Sequence, residues 1–129
     1  MEAYTQSIAE LTSLGLTTYE AKAYVALLGR DSFTAAEIAR RAAIPRARIY
    51  DVLRSLIDRG FASSWPGAVI RYSAMPPAAA VGRLLDEHRS RMKDIESTGS
   101  DLIDRLEPEF DSGRDHTEPL DFIQVLRGN

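Results

Sequence analysis

The sequence has no cysteine, one tryptophan and two histidines, His88 and His116. Without cysteine, disulfides and thiolate metal sites are excluded. Two histidines leave little for a metal centre or a histidine-based catalyst. No nucleophile–base set and no glycine-rich phosphate loop is visible, so no enzyme activity, metal or cofactor is expected. No apolar run approaches the roughly 20 residues that cross a bilayer, and no membrane partner is expected. The opening residues Met1-Glu2-Ala3-Tyr4-Thr5 lack a basic region followed by an apolar run. No secretion signal is therefore expected, and the cytoplasm is the expected location.

What remains is the composition of a globular protein: 129 residues, 44% hydrophobic and 27% charged, about the size of one ordinary domain. The net charge of −3 conceals an asymmetry. Residues 1–74 carry nine Lys/Arg against seven Asp/Glu, whereas residues 75–129 carry seven against twelve. Between Arg40 and Arg59, six arginines are set against only Asp51 and Asp58. Phosphate contacts are local, so a basic patch on a mildly acidic chain suits docking on DNA. A solvated helix face would look the same by charge alone.

Hydrophobic periodicity divides the first half into short helices. Ile8, Leu11 and Leu14 recur at helical spacing, with Gly15 as a C-terminal stop. Thr17-x-x-Glu20 has the form of a capping box and opens a second helix. Tyr19, Ala23, Ala26 and Leu27 share one face of it, which Tyr24, Val25 and Leu28 broaden, so this helix is expected at the centre of the core. Thr34-x-x-Glu37 repeats the capping box ahead of Ile38, Ala39 and Ala42. After Ala43-Ile44 a fourth helix is predicted from Pro45 to Arg59, Pro45 filling its first turn. Ile49, Val52, Leu53 and Leu56 form its buried stripe, and Gly60 follows. Two short helices joined by a tight turn match a helix-turn-helix. Phe61–Trp65 and Val69–Ser73 read as strands about a Pro66-Gly67 turn, and a hairpin there is a wing.

From Ala78 to Leu106 the chain reads as one helix. Val81, Leu85, His88, Met92, Ile95, Gly99, Leu102 and Leu106 alternate in steps of four and three, a heptad seam. At about 1.5 Å per residue, such a helix is too long to bury itself on a small domain. Its stripe is expected to meet a second copy; folding back on its own domain is the alternative. Ser97–Ser100 is a weak point, where a kink or a break into two helices is the alternative. His88 is either a polar register-setting residue or a tolerated polar core residue. Beyond Pro108 the chain is polar and acidic to Glu118 and reads as a linker. Leu120–Leu126 reads as a strand without a partner, so the chain is expected to be the front part of a longer architecture or a natural short form.

A recognition helix sets its N-terminal residues against base edges. Here those are Arg46, Ala47 and Arg48, with Tyr50 and Asp51 one turn on. Arginine pairs bidentately with guanine, and Ala47 fits a thymine methyl. Tyr50 either contacts phosphate or is partly buried. Asp51 is read as orienting Arg48 or Arg54 rather than touching DNA, and Arg54 joins the DNA-facing set. The helix opening at Thr34 offers backbone N–H groups to a phosphate, and Arg40 and Arg41 are backbone-contact candidates. Arg71 and the Trp65-Pro66-Gly67 tip are wing candidates, although Trp65 has the alternative of covering the hairpin's own apolar face.

Leu14–Leu28 strongly resembles the opening helix of TrmB-type transcriptional regulators. Ile44–Leu53 resembles their recognition helix, Arg59-Gly60-Phe61 its exit into the wing, and Tyr72–Pro77 the end of the wing. The resemblance covers about residues 8–77, with several separated motifs in the right order. It implies a DNA-binding winged helix, a dimerising helix and often a C-terminal effector domain that binds sugars, in regulators that are mostly archaeal. Residues from Phe122 resemble the first strand of that effector domain; sugar binding is not carried over to this chain.

The expected fold is mainly α with a small β-hairpin. It comprises a winged helix-turn-helix over 1–76, a long coiled-coil-like dimerisation helix over 77–107, and over 108–129 an acidic linker with the start of a further domain. The expected partners are double-stranded DNA and a second copy, and no small-molecule effector is expected to bind this chain alone. A winged-helix adaptor that uses the same surface for another protein of the transcription machinery is the competing expectation.

Overall fold

The computed structural model describes residues 2–115. Helix α1 (Glu2–Ser13) is followed by α2 (Thr18–Leu27), β1 (Phe33–Thr34), α3 (Ala35–Ala42), α4 (Arg46–Asp58), β2 (Ala62–Trp65), β3 (Arg71–Ala74) and α5 (Pro77–Asp115). Residues 2–88 belong to one compact unit and residues 89–115 to a second.

Local chemistry sets the helix boundaries. Both capping boxes form: the Thr17 hydroxyl accepts from the Glu20 N–H at 3.1 Å while Thr17 N–H donates to Glu20 Oε1 at 2.8 Å. Thr34 and Glu37 repeat this at 3.2 and 2.8 Å. Each box satisfies two backbone donors that a helix start leaves unpaired. Pro45, the predicted first residue of α4, stands one residue outside the helix, as its N-cap. Gly60 has φ +85°, the left-handed conformation that lets the chain leave α4 for the wing.

The core gathers the predicted stripes. Leu27, Ile38, Ile49, Leu53, Leu56 and Phe61 are fully buried. Tyr24 meets Phe61 edge-to-face at 5.0 Å and donates its hydroxyl to the Met75 carbonyl at 2.8 Å. Leu28 departs from expectation: it is the C-cap of α2 and is exposed.

The wing has three strands rather than two, in the order β1-β3-β2. Phe33 pairs with Tyr72 and Thr34 with Arg71, and β2 pairs with β3 from Ala62↔Ala74 to Trp65↔Arg71. All pairings are antiparallel. The two-residue β1 carries no period of its own. Phe33 is drawn wholly into the core, and the Phe33–Thr34 backbone lies along β3.

Helix α5 is the single helix expected through Gly99, and it differs from expectation in two ways. It passes Pro108 to end at Asp115, so the linker expected from residue 108 begins as helix. The apolar residues Leu102, Ile103, Leu106 and Phe110 keep helical spacing across the proline, and Phe110 lies 4.7 Å beneath the Arg114 guanidinium. Its first turns also bury Ala80 and Leu84 against the winged domain, with Val81 packed beside them. His88 Nε2 hydrogen-bonds with the Leu14 carbonyl. Val81 and His88, expected on an intermolecular seam, thus make contacts within their own chain, because the seam's first turns face the core. The strand expected over Leu120–Leu126 lies outside the described residues.

Candidate nucleic-acid interface

Helix α4 is two-sided. Ile49, Val52, Leu53 and Leu56 are buried, while Arg46, Ala47, Arg48, Tyr50, Asp51 and Arg54 are exposed. The i, i+3, i+4 spacing of the apolar residues forces this division. The Ala43-Ile44-Pro45 turn fixes where the helix begins. Ile44 is buried and its N–H donates to the Ala39 carbonyl at 2.9 Å, while Ala43 takes the left-handed conformation at φ 53°. No side chain caps the start of α4, so its first turn keeps the positive end of the helix dipole open to the surface.

Two of these arginines have partners. The Arg48 guanidinium carbon lies 5.5 Å from the ring centroid of Tyr19 on α2, a cation–π contact that limits where its fork can go. Asp51 pairs with Arg54 at 3.3 Å; of the two partners open to Asp51 in the sequence, the structure selects Arg54. Both are highly exposed, so the pair orients a side chain and adds little stability. Tyr50 is 54% exposed, so much of its ring stands at the surface. Burial, followed by the nearby Tyr50, pushes the Tyr72 hydroxyl above its ordinary range, against the pull of Arg54. Helix α4 packs against the hairpin through strand β2.

Arg40 and Arg41 lie in the last turn of α3, where cations complement the helix dipole. Both are exposed, and Arg41 stacks on Phe33 with its guanidinium carbon 5.0 Å from the ring centroid. Thr34 sits differently from the phosphate-holding role expected of it. Its N–H is bonded to the Glu37 carboxylate, and that carboxylate occupies the start of α3. The Thr34 backbone N–H first, then the Arg30 charge, hold Glu37 below the usual carboxylate range against its desolvation, so the site already carries an anion. Arg71 is also engaged. It donates to the Ser32 hydroxyl at 2.8 Å and the Ser32 carbonyl at 3.2 Å, and lies 3.8 Å from Glu37. Trp65 is 59% exposed and donates its indole N–H to Ser73 Oγ at 3.0 Å, so it lies across the hairpin with an open face.

Sequence reasoning missed the support behind α4. Glu20, whose capping role was legible, is buried and also accepts from Ser55 on α4 and from Arg59 at its C-cap, at 3.1 Å for the arginine. Arg59 donates further to the Gly15 carbonyl at 3.2 Å, and Arg83 of α5 donates to the Asp58 carbonyl at 3.1 Å. These partners lie tens of residues apart, and only a buried glutamate at a helix start hints at them. Among the described residues no cluster of three or more His, Asp or Glu could hold a metal ion, and no helix is long and apolar enough to cross a membrane. The arrangement presents cations, a small apolar side chain and a phenol on one face beside a hairpin.

Residues 11–78 match the family described as "Sugar-specific transcriptional regulator TrmB". The chain is 39% identical over 97 residues to the DNA-binding HTH-type transcriptional repressor TrmBL2 of Thermococcus kodakarensis, covering 72% of this chain and 37% of that protein. It is 28% identical over 119 residues to the HTH-type sugar sensing transcriptional regulator TrmBL1 of Pyrococcus furiosus, covering 92% and 32%. The solved structure of TrmBL2, described as an archaeal chromatin protein with a novel mode of DNA binding, superposes with a TM-score of 0.70 at 32% identity, over 81% of this chain and 42% of that one. A MarR family regulator of Silicibacter pomeroyi shares the fold at a TM-score of 0.51 and 17% identity, covering 88% of this chain and 85% of that one. The chain spans about a third of the length of the curated relatives it matches. Relatives and fold alike are those of winged-helix transcriptional regulators, not of enzymes.

Proposed function

The chain belongs to the TrmB family of transcriptional regulators, and we propose that it binds double-stranded DNA sequence-specifically as a homodimer. The single observation that carries this is the exposed start of α4, where Arg46, Ala47 and Arg48 stand together over a buried stripe. In this reading Arg46 and Arg48 pair with guanine edges in the major groove and Ala47 meets a thymine methyl. Tyr50, Arg54, Arg40 and Arg41 contact the sugar–phosphate backbone. Thr34 and Arg71 position α3 and the wing instead of touching DNA, since both are bonded to Glu37 or Ser32. A cytoplasmic setting follows from the reading.

Dimerisation is supported by the exposed apolar stripe of α5: Leu85, Met92, Ile95, Leu102 and Leu106, joined by Ile103 and Phe110. Such a stripe is costly to leave in water, and a second copy offers the same spacing in return. The proposed organisation is a DNA-binding winged domain ending near residue 76 and a dimer helix that continues beyond 107. Two recognition helices would then read half-sites about one helical turn apart, or a multiple of that.

Selection of bound duplexes from random genomic fragments tests the reading. A shared sequence pattern with two related half-sites is expected, together with binding that weakens steeply with salt. Uniform recovery of all fragments would replace sequence-specific regulation by general DNA coating. Salt-insensitive or absent binding would remove DNA as the partner and favour a protein adaptor.

A further inference from the structure

A groove of about 380 Å³ opens between α1, α2 and α3, within the range of small-molecule sites. Ile8, Val25, Ala26 and Ala42 give it apolar walls, Tyr4 and Thr5 add hydroxyl-bearing side chains, and Lys22 and Arg41 add two cations. Among residues 4–114, no ion pair joins either cation to a carboxylate. Arg41 is folded over the end of α2. A Cβ on Gly29 would fall 2.5 Å from Arg41 Nη2, so the glycine leaves the space that the guanidinium occupies.

We infer that this groove binds a small organic carboxylate with an apolar body, and that the bound anion withdraws Arg41 from the DNA backbone. The lining selects the class. Hydrocarbon gains from covering the isoleucine, valine and alanine side chains, at about 25 cal/mol per Å². An anionic head gains charge-assisted hydrogen bonds from a cation of the lining. A cation would be repelled by Lys22 and Arg41. The same guanidinium serves the anion and the phosphate, so each ligand weakens the other by an equal factor. This regulatory half rests on the DNA-binding reading above; the binding half does not.

NMR titration of the full chain with hexanoate, benzoate and hexanol, without DNA, tests the binding half. A carboxylate is expected to shift amides around Val25, Ala26 and Ala42, with hexanol at least about tenfold weaker. Lys22→Glu is expected to abolish carboxylate binding while leaving the rest of the spectrum in place. The inference is overturned if neither carboxylate binds, if hexanol binds equally well, or if the shifts map to Leu85, Met92 and Ile95 of α5. In a second arm the bound carboxylate weakens duplex binding by wild type, and leaves that of Lys22→Glu unchanged. A carboxylate that binds in the groove without changing duplex affinity overturns the regulatory half. A duplex that never binds, with or without carboxylate, overturns the DNA reading instead.

Discussion

The Glu20 carboxylate, buried at the start of α2, lies 3.1 Å from the Arg59 guanidinium at the end of α4. The same carboxylate accepts from Ser55. One side chain thus caps one helix and holds the recognition helix against it. Burial alone would raise its pKa, but the hydrogen bonds from Ser55 and Thr17 and the Arg59 charge outweigh that and hold it below its ordinary value.

A depressed carboxylate stabilises the fold above the unfolded-state pKa of about 4.3, and that contribution is lost as pH falls through the lower folded-state value. Glu20→Gln is expected to cost about 1.5–3 kcal/mol at pH 7, the range for a hydrogen bond to a charged group. The difference from wild type should shrink steadily as pH falls below about 4.3. Urea unfolding at fixed protein concentration measures both; a gap that stays constant with pH contradicts the assignment.

Ala43 holds a left-handed backbone at φ 53°, which costs a residue with a Cβ roughly 1–2 kcal/mol. Glycine removes that cost but adds unfolded-state entropy of about 0.5–1 kcal/mol. Ala43→Gly is therefore expected to stabilise by up to about 1 kcal/mol, seen as a rise in Tm. A fall in Tm would mean that the alanine methyl makes contacts worth more than the backbone cost.

Leu102 and Ile95 lie on the exposed stripe of α5, whereas Val81 packs on its own domain. Leu102→Asp is expected to weaken the proposed dimer about 10–100-fold, the value of one buried leucine. Val81→Ala is expected to lower monomer stability and leave association unchanged. Analytical ultracentrifugation separates the two effects, and equal association by Leu102→Asp and wild type would remove α5 from the interface.

Tyr50→Phe and Arg54→Ala are expected to weaken duplex binding by similar factors on selected and scrambled sequences, as phosphate contacts do. Arg54→Ala should also reduce the slope of log affinity against log salt by about one. A loss confined to the selected sequence would make these residues base readers.

The parts legible in the sequence were those written in local chemistry. Thr17 with Glu20, Thr34 with Glu37, and the Ile49–Leu56 stripe each announce themselves within one or two turns. The exposure of Arg46 and Arg48 follows from that stripe. The illegible parts depend on partners far along the chain. Arg71 reads as a free wing cation until Ser32 and Glu37 are folded beside it. Val81 and His88 fit a heptad seam, yet the first turns of α5 face the core. Pro108 reads as a helix stop, but the helix runs on to Asp115, because a proline removes one hydrogen bond and does not by itself cancel an apolar stripe on both sides.

The most direct measurement compares Arg48→Ala, Arg46→Ala and Arg91→Ala for binding to a duplex selected from genomic fragments and to a scrambled duplex. Arg91 lies on α5, away from the proposed base-reading residues in sequence, and serves as the charge-matched control. The account predicts that each α4 variant loses about 1–3 kcal/mol of discrimination between the two duplexes, while Arg91→Ala keeps the wild-type ratio. Discrimination that survives in both α4 variants would contradict the recognition-helix assignment.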